Sequence, residues 1–133
     1  MNAVFADSSY YIALYSQGDR FHGIARKLSR KLRCRLVLSE FILTELGAAL
    51  SSGKDRDLFL LLVRSLRSDP NANVVPASHE LFDRGLALFA SRPDKSWSLV
   101  DCISFCVMKE HSLSHALTSD RHFEQAGFGI LLK

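Results

Sequence analysis

Cysteine is scarce in this chain of 133 residues: there are three, Cys34, Cys102 and Cys106. An odd count without framework spacing excludes a disulfide-held scaffold. Cys102 and Cys106 stand four apart and share a helix face, but a zinc site needs two more ligands. His111 and His115 are also four apart, yet a strand is expected to start near His115 and break their common face. The thiols therefore read as inert core groups. Long apolar runs are missing too. The longest is LFLLLV, Leu58–Val63, against the roughly 20 residues that span a bilayer. The opening stretch MNAVFADSSYYIALYS lacks a basic start and carries Asp7, unlike a signal peptide. A cytoplasmic protein with no membrane contact is expected. No repeats, linkers or low-complexity tracts occur, so a single domain over 1–133 is expected. Charge bias is slight: net +3, compatible with an anionic partner but not diagnostic of one.

What the chain does have is an alternation of strand and helix. The segments 3–7 (AVFAD), 35–39 (RLVLS), 74–78 (VVPAS), 115–120 (HALTSD) and 129–133 (GILLK) read as strands. Helices are predicted over 8–16, 21–32, 39–52, 55–68, 79–91, 96–111 and 121–128, with His79 expected to cap the fifth. The strands are short and continuously apolar rather than alternating. That pattern marks a parallel sheet buried on both faces, a three-layer α/β/α sandwich. The helix over 96–111 is apolar nearly all round and should be central.

In such sheets function collects at the carboxyl ends of the strands. Asp7 closes the first strand, and Thr118, Ser119 and Asp120 close the fourth. Asp101 lies in the first turn of the central helix, three residues after Ser98. Asp7 and Asp120 can serve as helix caps, and Asp101 can complete a capping arrangement with Ser98. Glu45 has no such role. Its helical neighbours are Phe41, Ile42, Ala48 and Ala49, an apolar face on which a buried carboxylate needs a partner from elsewhere. Four acids converging on one cleft raise one another's pKa unless a cation offsets them, and carboxylate oxygens suit Mg²⁺ or Mn²⁺. Such a site can activate water for attack on a phosphodiester. Thr118 would hydrogen-bond a carboxylate or the attacking water.

The ordered segments VFADSS, SEFILTEL, WSLVDCISFCVM and ALTSDRHFEQAGF resemble the PIN-domain nucleases, above all the VapC toxins of toxin–antitoxin pairs. The resemblance spans essentially the whole chain. It implies a parallel sheet flanked by helices and a Mg²⁺- or Mn²⁺-dependent ribonuclease. It places the family's four acids on Asp7, Glu45, Asp101 and Asp120, as metal ligands and catalytic residues, and its strand-end hydroxyl on Thr118. It also implies an RNA substrate, an antitoxin partner and a homodimer. A non-enzymatic RNA-binding or interaction module with the same fold would be favoured by loss of one of these acids, and none is lost. A haloacid-type phosphatase would want D-x-D after the first strand, where this chain has Asp7 followed by Ser8 and Ser9.

For RNA contact the basic run Ala25–Arg35 offers Arg26 and Arg30, and the strand ends offer Ser8 and Arg121, with His122 beside it. Tyr10, Tyr11 and Tyr15 read as core or dimer packing. In the fourth helix Leu58, Leu61, Leu62 and Leu66 are expected to face the core, leaving Phe59, Leu60 and Val63 for a second copy or another partner.

Overall fold

Five short strands pair only in parallel, in the order β3-β2-β1-β4-β5, in a computed structural model that describes residues 2–133. The strands are β1 (Ala3–Ala6), β2 (Arg35–Ser39), β3 (Ala72–Val75), β4 (His115–Leu117) and β5 (Gly129–Ile130). Helices fill every connection: α1 (Ser8–Tyr15), α2 (His22–Lys31), α3 (Glu40–Ala49), α4 (Lys54–Ser68), α5 (His79–Ser91), α6 (Leu99–Glu110) and α7 (His122–Gln125). From β1 the chain steps outward through β2 to β3, then crosses back to β4 and β5. Right-handed crossovers put the helices of the two halves on opposite faces of the sheet. The strand order reverses at β1 and β4, paired through Phe5–Ala116 and Ala6–Leu117. That reversal opens a crevice at the carboxyl ends, where ligands bind in open α/β sheets.

The core explains the continuous apolar strands. Val4, Phe5, Ala6, Leu38, Ala116 and Leu117 are fully buried, as central strands covered on both faces must be. Phe123 of α7 stacks edge-on against Phe105 of α6 at 5.0 Å and lies 6.1 Å from Phe5 of β1. This aromatic column ties α7 to α6 and to the sheet directly beneath the crevice. Gly85 lets α5 press against α6, since a Cβ there would collide with Ile103. Tyr10 and Tyr11 are core residues, whereas Tyr15 is partly exposed. Among the described residues no helix is long and apolar enough to cross a membrane.

Several boundaries and faces differ from the sequence expectation. β3 begins at Ala72 and ends before Pro76, because Leu38 and Ser39 take Val74 and Val75 as partners and proline has no N–H to extend the ladder. β4 stops at Leu117, since Thr118–Asp120 turn away to hydrogen-bond one another. Ser78, not His79, caps α5 through its side chain to Leu81 N–H, and His79 instead faces Asp83 one turn on. On α4 Leu61 is exposed, while Phe59 and Val63 pack against the core, Phe59 lying over Gly47.

Candidate active site

At the end of β1 the backbone carries Asp7 to the crevice, and its N–H bonds Leu117 O of the neighbouring strand. Two hydroxyls hold its carboxylate. Thr118 Oγ1 donates to Asp7 Oδ2 at 2.7 Å, and Ser9 Oγ donates to the same oxygen at 3.0 Å. Thr118 Oγ1 in turn accepts the N–H of Asp120 at 3.0 Å, and Ser9 Oγ accepts that of Ser119 at 3.3 Å. Burial pushes the Asp7 carboxyl up to about 6; the two hydroxyls pull it down, and the nearby charges of Glu45 and Asp101 push it up again.

Asp101 enters through helix-end chemistry. Ser98 caps α6, its Oγ accepting from Asp101 N–H at 3.0 Å, while Asp101 Oδ2 accepts from Ser98 N–H at 3.1 Å. This capping box is the structural role expected of Asp101, and it also aims the carboxylate at the crevice. Asp120 lies in the loop after β4, where its Oδ1 accepts the backbone N–H of His122 at 2.9 Å. The N-cap position of α7 is Arg121, and Asp120, one place before it, satisfies the N–H of the helix's first residue. His122 Nδ1 lies 3.0 Å from Asp101 Oδ2 and 3.4 Å from Asp120 Oδ1. One potential ligand atom from each of Asp101, Asp120 and His122 falls within 4.8 Å of the others.

Glu45 corrects one expectation. Its helical neighbours are apolar, but the buried face of α3 runs through Ile42, Leu43 and Leu46, and Ala48 and Ala49 are exposed alongside it. Small side chains flanking a carboxylate leave it open to water rather than covering it. Glu45 is therefore exposed, and its partner from elsewhere in the fold is Ser8, which donates to Oε1 at 2.5 Å across 37 positions.

The four acids share one property. Each uses a single oxygen for hydrogen bonds within the chain: Oδ2 of Asp7, Oε1 of Glu45, Oδ2 of Asp101 and Oδ1 of Asp120. Among the described residues the second oxygen of each takes no protein donor, and no Lys or Arg pairs with any of them. Hard carboxylate oxygens without a Lys or Arg counter-ion suit a hard divalent cation. The other candidates lie apart. Arg121 is exposed and pairs with Glu124 at 2.9 Å. Arg26 and Arg30 are exposed on α2, whose main packing partner is α1. Ser9 was not singled out from sequence, and His122 was weighed only as a phosphate contact. The signals available were the second serine of DSS and the histidine two places after Asp120.

A doubly wound parallel sheet with carboxylates at its point of strand reversal fits the nuclease class. The chain belongs to the PIN-domain family, whose model matches residues 4–129. It is 25% identical over 125 residues to the 23S rRNA-specific endonuclease VapC20 of Mycobacterium tuberculosis, a match covering 94% of this chain and 95% of that protein. The crystal structure of that VapC20, described as a sarcin–ricin loop cleaving toxin, aligns with a TM-score of 0.84 at 24% identity over 94% of this chain and 95% of the other. A toxin–antitoxin complex from Klebsiella pneumoniae aligns at 0.67 with 16% identity, over 96% of this chain and 94% of the other. These structural likenesses establish the fold.

Proposed function

We propose that this chain is an endoribonuclease that depends on Mg²⁺ or Mn²⁺ and acts as the toxin of a VapBC-type toxin–antitoxin pair in the cytoplasm. The observation that carries this reading is the set of four carboxylates with one oxygen each free of protein donors and no Lys or Arg paired to them among the described residues. Asp7, Glu45, Asp101 and Asp120 would hold the cation through those oxygens. Bound there, it would acidify a water and offset the charge that builds on the phosphate. The chain's own residues supply the order. Thr118 and Ser9 fix Asp7 so that its free oxygen faces the cleft, and Ser8 fixes Glu45. The capping box of α6 sets the direction of Asp101.

RNA is the substrate class, held electrostatically by the basic face of Arg26, Lys27, Arg30 and Lys31 and by Arg121. An antitoxin and a second copy of the chain belong to the same reading. Support comes from apolar side chains left exposed on α4 (Leu60, Leu61) and α5 (Phe82, Leu86, Phe89) and from relatives solved as toxin–antitoxin complexes.

The test is cleavage of a sarcin–ricin-loop oligonucleotide and of total RNA by purified protein. Cutting that stops with chelator, returns with Mn²⁺ or Mg²⁺ and is lost in Asp7→Asn supports the reading. Metal-independent cutting, or undiminished cutting by Asp7→Asn, overturns it.

A further inference from the structure

His122 touches two of the four acids by two different routes. Its backbone N–H holds Asp120 Oδ1 at 2.9 Å, and its Nδ1 faces Asp101 Oδ2 at 3.0 Å. Asp101 belongs to the first turn of α6 and Asp120 to the loop after β4, so nothing local in sequence sets their separation. Residue 122 joins them. Its own placement is fixed by the neighbour Phe123, fully buried and packed edge-on against Phe105, one turn beyond Asp101 on α6. The aromatic contact docks α7 on α6, and the imidazole then falls over Asp101.

We propose that His122 is a positioning residue, an Nδ1–H donor that holds Asp101 and Asp120 together and leaves their remaining oxygens facing the cleft. The proposal rests on the metal-dependent reading given above. Its chemistry follows from the partners: Nδ1 meets two oxygens that only accept, so the neutral ring must carry its proton on Nδ1. Nε2 has no partner among the described residues, and about a third of the side chain is exposed. Two carboxylates repel when no cation lies between them, and a shared donor lets them stay close beforehand. Metal sites commonly use such outer hydrogen bonds to orient their ligands.

Substitution separates this role from ligation or catalysis through Nε2. Asparagine places its amide N–H where Nδ1 stands, glutamine reaches the Nε2 position, and alanine offers neither. Calorimetric titration of the folded protein with Mn²⁺ should show His122→Ala binding about 10–100-fold more weakly, His122→Gln nearly as weakly, and His122→Asn within about threefold of the parent. Nitrogen NMR of the metal-free parent at about pH 9, where an ordinary imidazole is neutral, should show the proton on Nδ1. A proton on Nε2, or Gln restoring affinity where Asn fails, overturns the positioning role. Failure of the parent to bind Mn²⁺ overturns the metal-dependent reading instead, and the tautomer remains measurable on its own.

Discussion

The two halves of the acid cluster are built on opposite terms. The inner half grows from the central strands: Asp7 from β1 and Thr118 from the end of β4 are both buried, and hydroxyls from Thr118 and Ser9 lock the carboxylate. The outer half hangs on helix flanks and a loop. Glu45 is exposed on α3 and meets the one hydroxyl of Ser8, and Asp120 sits half-buried after β4, facing the backbone N–H and Nδ1 of His122. Burial gives the inner half rigidity at the expense of charge, since desolvation pushes Asp7 up to about 6. Exposure leaves Glu45 and Asp120 in reach of water but less fixed. The proposed metal site would draw on both, with Asp101 buried at the start of α6 standing between the two halves.

Asp7→Asn is the largest way to break that division. Cleavage should fall by on the order of 100-fold or more, since even outer-shell losses at metal sites cost about 10–100-fold. Stability should move the other way. An acid whose folded value is raised, here from 3.8 to about 6, costs almost nothing below about pH 3, because both states are then protonated. As pH rises toward 6 the unfolded state ionises first and stability drops, reaching a penalty of about 2–3 kcal/mol at neutral pH. Metal-free Asp7→Asn lacks that penalty. Its unfolding free energy in urea should exceed the parent's above pH 7, by about 1–2 kcal/mol after allowing for altered hydrogen bonding, and the gap should close by about pH 3. Added Mg²⁺ should stabilise the parent alone. A constant gap across this range would show that desolvation does not govern Asp7.

Thr118→Val tests the wiring of the inner half. It removes a donor to buried Asp7 and strands the part-buried N–H of Asp120, costing about 1–3 kcal/mol. Because that hydroxyl pulls the Asp7 value down, its loss should shift the acid limb of the cleavage profile to higher pH, and Thr118→Ser should restore it. Glu45→Gln probes the outer half. Cleavage should fall about tenfold or more, yet the metal-free urea midpoint should stay within about 0.5 kcal/mol of the parent at every pH. Marked destabilisation would mean that Glu45 holds the fold together.

The sequence made the strands readable because they are covered on both faces and so are apolar without a break, and Asp7 and Asp120 stood out by their places at strand ends. The faces of α3 and α4 were harder to read. Around Glu45 the apolar neighbours Ala48 and Ala49 are too small to bury anything, and on α4 the alternatives Leu61 and Val63 are equally apolar, so composition could not choose between them. Only the packing of Phe59 over Gly47 decides that register. Contacts such as Ser8 to Glu45 or His122 to Asp101 join residues 37 and 21 places apart, and no local pattern encodes them.

The adjacent serines of DSS give the finest test of the two halves, because each serves one. Ser8 donates to exposed Glu45, whereas Ser9 donates to buried Asp7. Ser8 is itself buried, but in Ser8→Ala water can replace the lost donor at exposed Glu45 Oε1, so stability should change by about 0.5 kcal/mol, the low end for a hydrogen bond. The effect should appear mainly in function, as a fall in cleavage of about 3–10-fold, smaller than direct loss of a ligand, with Ser8→Thr restoring it. Ser9→Ala removes a donor from a carboxylate that water reaches poorly and leaves the N–H of Ser119 without its partner. It should therefore cost about 1 kcal/mol or more and push Asp7 further up. Equal stability losses in Ser8→Ala and Ser9→Ala, measured by urea unfolding at pH 8, would mean that exposure does not separate the two halves.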